Sequence, residues 1–249
     1  MQASRFEYKY RFLIHGVIYL LAFQVPWNNS LNLTDESTWL ILANMLTSHH
    51  LLSFMVAANV ILVVAMVFMG LAAWLRTWGS AYVGASVVHS DSMHGDALLA
   101  DGPYRRTRNP LYLGTLLHTI GLAILMTPSG AIFAITLIWI LQIRLALAEE
   151  PFLTARFGQP YVGYKAAVPR FLPSLRALVP AAGQQPHWLQ AIVGELYFIA
   201  AFFVVAIFGW SFNTLTLRRG FLITLGAWLI VRAFMPAKKT EPSATAHSA

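Results

Sequence analysis

The chain has 249 residues, of which 57% are hydrophobic and only 11% charged, with a net charge of +7. A soluble domain carries about 25% charged residues, so this composition describes a chain that spends most of its length in a bilayer. The absence of cysteine excludes disulfides, thiolate metal sites and a thiol nucleophile. No basic run interleaved with aromatics lies outside the membrane-flanking segments, which excludes a nucleic-acid partner.

In chain order, six apolar segments stand out: 12–27, 52–75, 111–127, 131–148, 188–210 and 220–235. A helix rising 1.5 Å per residue needs about 20 residues to cross a hydrocarbon core of about 30 Å. The second and fifth suffice alone; the others need flanking residues or a thinned bilayer. The expected fold is therefore all-α, a multi-pass transmembrane bundle of about six spans. Arg5, Lys9 and Arg11 precede the first span, and no small-residue cleavage site follows, so it reads as an uncleaved span. Loop 28–51 holds Asp35 and Glu36 but no lysine or arginine. Within it, Asn28 and Asn32 open glycosylation-type triplets of a kind common by chance. Segment 36–46, with Trp39, Leu40, Ile41, Leu42 and Leu46, reads as a short interfacial helix, and His49 and His50 as solvated.

Basic residues concentrate before span one, between spans two and three (Arg76, Arg105, Arg106, Arg108), after span four (Arg156, Lys165, Arg170, Arg176) and after span six (Lys238, Lys239). The positive-inside rule then places both termini and loops 76–110 and 149–187 in the cytoplasm, as for a bacterial inner-membrane protein. Arg218 and Arg219 break the pattern: they snorkel, or the last hairpin does not fully cross. The tail Thr240–Ala249 is small and polar and reads as disordered.

The stretch Gly102-Pro103-Tyr104-Arg105-Arg106-Thr107-Arg108-Asn109-Pro110-Leu111-Tyr112-Leu113-Gly114 concentrates the chemistry. Asn109-Pro110 predicts a helix start, with asparagine as cap and proline in the first helical position. Its positive end beside three arginines makes an anion site, against the plainer reading of arginines anchoring a helix to anionic lipid. Gly102 allows a close turn, and Gly114 leaves the first turns of the helix open to a ligand. Thr127-Pro128-Ser129-Gly130 then forces an antiparallel hairpin, which returns Glu149 and Glu150 towards Arg108 and Tyr112. Carboxylates at a helix C-terminus are disfavoured by about 0.3–1 kcal/mol each, so their presence points to a ligand; the alternative is a simple arginine–glutamate clamp. Elsewhere, His89, Asp91 and His94 form too weak a pattern for a metal, and none is expected. Glu195 in span five is expected to pair with Arg232 in span six, and Arg144 to snorkel or to reach an acceptor cavity.

These residues resemble the isoprenylcysteine carboxyl methyltransferase and phospholipid methyltransferase family of integral membrane enzymes. The resemblance runs over about 76–176. It rests on Gly102-Pro103-Tyr104, on Arg108 to Gly114, on Glu149-Glu150 followed by Leu153, and on Phe157-Gly158, Tyr161, Tyr164 and Arg170. Asn109 stands where the family pattern has histidine, keeping a hydrogen-bonding group but no imidazole. The resemblance implies three regions: N-terminal spans (1–75), a methyltransferase core (76–176), and a C-terminal hairpin with its tail (177–249). It also implies an S-adenosyl-L-methionine pocket at the cytosolic face, built from Gly102, Tyr104, Arg108, Asn109, Tyr112, Gly114, Glu149 and Glu150. Tyr161, Tyr164 and Arg170 are then expected at the acceptor, with Arg108, Glu150 and Arg170 in catalysis. The acceptor is lipophilic and enters from the membrane lipids. Three acceptors stay open: a prenylcysteine-type carboxylate, needing only a cationic holder such as Arg170; a phospholipid-type amine, whose proton Glu149 or Glu150 takes; and a bacterial-type acceptor outside both classes. Two competing readings are a nicotinamide-dependent reductase of the sterol-reductase type, whose phosphates the glutamates would repel, and a small transporter or membrane scaffold.

Overall fold

The computed structural model describes residues 2–26, 34–83 and 100–234. The His89–His94 pattern, Asn28, Asn32 and the tail lie outside them. Every regular element among the described residues is helical: α1 Arg5–Lys9, α2 Arg11–Ala22, α3 Thr38–Ser48, α4 Phe54–Val83, a 3-10 turn Gly102–Arg105, α5 Pro110–Ala123, α6 Pro128–Phe157, α7 Gln159–Ala167, α8 Trp188–Gly194, α9 Leu196–Ser211 and α10 Thr214–Phe234. The fold is an all-α membrane bundle.

All six apolar segments form helices, but their lengths differ from expectation. α4, α6 and α10 are each long and apolar enough to cross a membrane, and α8 with α9 makes a fourth candidate, bent by 63°. α2 and α5 are shorter apolar helices of 12 and 14 residues. α2 stops four residues before Pro26, which has no N–H to continue a helix. α5 stops where Leu125 and Met126 fold back on Leu122 and Ala123, and Thr127 then caps α6 by accepting from Gly130 N–H.

Two helices run past the expected ends. α4 continues through Arg76, because Ala72, Ala73, Gly79, Ser80 and Ala81 keep its second half slim enough for α5 to lie against it. α6 continues two turns beyond Glu149 and Glu150 and across Pro151, ending at Gly158 in the left-handed region at φ 62°. The glutamates are therefore not at a helix C-terminus, and the dipole argument does not apply to them. Interfacial residues Leu153 and Phe157 hold these extra turns by packing on Tyr161, Tyr164 and Val168.

The helices pack in the order α2, α6, α5, α4, α9, α10. This is an open arc whose two ends, α2 and α10, are not a packed pair. Its core joins Met69 of α4, Leu122 of α5, Ala134 of α6, and Ala201 and Val205 of α9. The interfacial helix expected at 36–46 is α3, which packs on α4 through Ala43, Ala57 and Ala58.

Three charge pairings differ from the sequence reading. Glu195 lies at the α8–α9 bend and pairs with Arg76, at 2.7 Å and 3.1 Å, with both side chains buried. Arg76 is thus no cytoplasmic loop residue. Its remaining donors go to Leu111 O and Thr115 Oγ1, and its guanidinium lies 4.0 Å from the Phe198 ring. Arg232 instead stacks over Phe12 and Trp228. Arg144 neither snorkels nor enters a cavity; it makes a bidentate pair with Glu7 at 2.8 Å, which pulls that carboxyl down to about 2.

Candidate active site

The motif turn is held from one side. Thr107 Oγ1 donates to Phe171 O at 3.0 Å, Arg108 N–H to Pro169 O at 2.9 Å, and Asn109 Nδ2 to Arg170 O at 3.1 Å. Asn109 therefore occupies the cap position of α5, as its sequence signals, but makes no side-chain cap bond; its amide ties the loop after α7 to the motif instead. Arg105 donates to Val179 O, and Arg106 to Leu175 O. Of the three clustered arginines, two are consumed by backbone and Arg108 alone carries charge to the site.

Arg108 Nη1 meets Glu150 Oε1 at 2.8 Å, and Arg170 grips the same carboxylate with Nε at 2.7 Å and Nη2 at 2.9 Å. Such charge-assisted bonds fix geometry as well as charge. The pairing raises the Arg170 pKa. Glu149 is held differently: the hydroxyls of Tyr8 and Tyr112 both donate to its Oε1.

A cavity of about 1120 Å³ opens beside these groups. Tyr104, Arg108, Asn109, Tyr112, Glu149, Tyr161 and Tyr164 line it; Gly102, Gly114, Glu150 and Arg170 do not. Gly102 is needed for its φ of 54° and because a Cβ there would lie 2.2 Å from the Tyr82 ring. Gly114 was expected to keep a ligand path open, but an added Cβ would meet Arg76 Cγ at 2.4 Å. It is a helix-packing glycine between α4 and α5. Glu150 and Arg170 stand behind Arg108 as its support.

Burial raises the phenol pKa values on this wall: Tyr161 to about 12, and Tyr104 and Tyr164 upwards as well. They remain neutral hydroxyls at any ordinary pH, and Tyr164 donates to Tyr104 O at 2.8 Å. Sequence reasoning missed Tyr8 and Arg11, which reach the cavity from the N-terminal helices, and Asp101. Asp101 is buried and accepts from the N–H groups of Ala182, Gly183 and Gln184. Its position just before the motif was the one available signal.

Residues 60–160 match the family model described as phospholipid methyltransferase. The match spans both the motif turn and the hairpin, and agrees with the family recognised from their residues. No curated protein and no solved structure matches the chain significantly. Over residues 60–160 the chain is similar to phospholipid methyltransferases, and its fold is an all-α membrane bundle.

Proposed function

We propose that the chain transfers a methyl group from S-adenosyl-L-methionine to a lipophilic acceptor at the cytoplasmic face of the membrane, with both termini on that side. One observation carries this reading. On a single cavity wall, Arg108 presents a buried Nε with no hydrogen-bond partner among the described residues, and Glu149 presents its carboxylate. The pair suits a ligand bearing both a carboxylate and an ammonium group. The volume exceeds the range of about 300–1,000 Å³ usual for one small ligand, which leaves room for donor and acceptor side by side.

The bound cofactor would supply an electrophilic methyl on a sulfonium, taken by in-line displacement, a reaction in which positioning dominates. Arg108, held by Glu150 and Arg170, fixes the donor's carboxylate. Tyr104, Tyr161 and Tyr164 form a neutral aromatic wall, and Asn109 keeps the turn closed on the loop after α7. Glu149 faces the donor's ammonium, so an amine acceptor sheds its proton to solvent. Arg170 donates through Nε and Nη2 to Glu150 and does not line the cavity, so a carboxylate acceptor lacks the holder expected for it. We therefore favour an amine headgroup, with Arg11 on the same wall suited to its phosphate.

Calorimetric titration of detergent-purified protein with S-adenosyl-L-methionine tests the reading. Arg108→Ala should weaken binding by about 1.5–3 kcal/mol, the worth of a charged hydrogen bond, and Glu150→Gln should follow it by releasing Arg108. Wild-type affinity in Arg108→Ala would refute the assigned pocket. Methylation of a prenylcysteine, with none of phosphatidylethanolamine, would refute the amine assignment.

A further inference from the structure

The cavity does not end at the family segment. It continues along α2 from Arg11 past His15, Gly16, Tyr19 and Leu20, and reaches Gln24 just beyond the helix; α2 alone covers about 17 Å at 1.5 Å per residue. Half of a hydrocarbon core of about 30 Å is shorter than that. The opposite wall is α10, whose residues 214, 217, 218, 221, 222, 225 and 228 line it at helical spacing. Both helices lie outside the matched residues 60–160. α10 buries only Thr224 among its 21 residues; Leu217 and Phe221 pack on the core beside α9 while also lining the chamber. Near the site end the two walls approach through the Phe12 and Trp228 rings, with Arg232 over Phe12.

Gly16 is the telling residue. A glycine inside a helix costs about 1 kcal/mol relative to alanine, and usually answers a close contact or a positive φ. Gly16 has neither: it lies within α2, and a Cβ built there meets nothing within 4 Å. It does line the chamber. The space its side chain would take is cavity.

We propose that the chamber between α2 and α10 seats one long acyl chain of the acceptor, and that Gly16 sets how far that chain can pass. The inference rests on the methyl-transfer reading for the headgroup's identity, but the chamber has its own test. The Arg76–Glu195 pair is a positioning element here: it fixes the α8–α9 bend, and with it Tyr197, Phe198 and the α10 wall. Chains ending short of Gly16 would feel no restriction from a larger residue there; longer ones would be blocked.

The experiment uses the full chain in nanodiscs of dioleoylphosphatidylcholine with palmitate carrying a terminal diazirine. The wild type should label saturably on Leu20–Gln24 and Leu217–Leu225, and excess unlabelled palmitate should compete. Gly16→Ala should label like the wild type, and Gly16→Leu less. Gly16→Phe should lose at least about tenfold, equal to about 1.4 kcal/mol. Gly226→Phe, on α10 but off the lining, should label normally. Calorimetry with S-adenosyl-L-methionine on the same samples reports folding and the separate donor site. Unsaturable labelling, or labelling indifferent to Gly16→Phe, would overturn the chamber. Loss of donor binding in Gly16→Phe would also overturn it, because the residue would then serve the pocket or the fold. Absent donor binding in a wild type that labels as described would instead sink the methyl-transfer reading and leave the chamber standing.

Discussion

Glu195→Gln is the sharpest test of how the C-terminal helices are held. It keeps the side chain's volume and removes the charge that faces Arg76 at 2.7 Å in a site where the two side chains are 6% and 0% exposed. Two unit charges about 4 Å apart attract by about 4 kcal/mol at an effective dielectric of about 20. Stripping one partner from a buried pair costs about 3–5 kcal/mol, because the other charge is left uncompensated. Arg76 keeps its bonds to Leu111 O and Thr115 Oγ1, so the loss should fall at the lower end of that range. At about 2–4 °C per kcal/mol for a chain of this size, the thermal midpoint in detergent should drop by about 10 °C. The double variant Arg76→Met with Glu195→Leu should recover most of the loss, since apolar replacement of a buried pair is often neutral. A drop under about 1 kcal/mol in the single variant, or a double variant worse than the single one, would refute the argument that the pair is buried and coupled.

Gly114→Ala should destabilise the bundle by about 1–3 kcal/mol through overpacking against Arg76, while donor affinity by calorimetry stays near wild type. Glu7 carries a folded-state pKa of about 2 against an ordinary 4.5. Its contribution is fully present above 4.5 and is lost as pH falls through 2, so Glu7→Gln should flatten the fall in thermal midpoint between pH 4.5 and 2. Ser174→Cys should resist an impermeant thiol reagent in intact cells while Ser37→Cys reacts; the opposite pattern would invert the orientation.

The local signals in the sequence were reliable where a few neighbouring residues decide the geometry. Asn109-Pro110 starts α5 and Thr127-Pro128-Ser129-Gly130 turns the hairpin, because proline and a capping hydroxyl act within four residues. The approach of Arg108 to Glu150 followed from that hairpin. The sequence misled where distant packing decides. Glu149-Glu150-Pro151 reads as a stop, yet α7 supplies an apolar surface that carries the helix on. Glu195 could be given a partner from α10 on charge alone; the choice of Arg76, 119 residues away, depends on where the bend falls. Gly114 has the spacing of a ligand glycine and the contacts of a packing one. Tyr8 was invisible because one tyrosine in an amphipathic N-terminal helix carries no motif, although it completes the Glu149 hydrogen bonds.

The open arc also sets an order of assembly. α2 closes one end and α10 the other, so the chain must be made almost from beginning to end before the chamber has two sides. The roughly 190 residues from Ala22 to Thr214 take about 10–40 s at about 5–20 residues per second. During that interval the face of α2 bearing Arg11, His15 and Tyr19 has no opposite wall. Gln142 of α6 reaches His15 at 2.8 Å well before α10 exists. The nascent chain thus gives the half-buried His15 its partner on the early hairpin, and leaves the gap between α2 and α10 to be closed last.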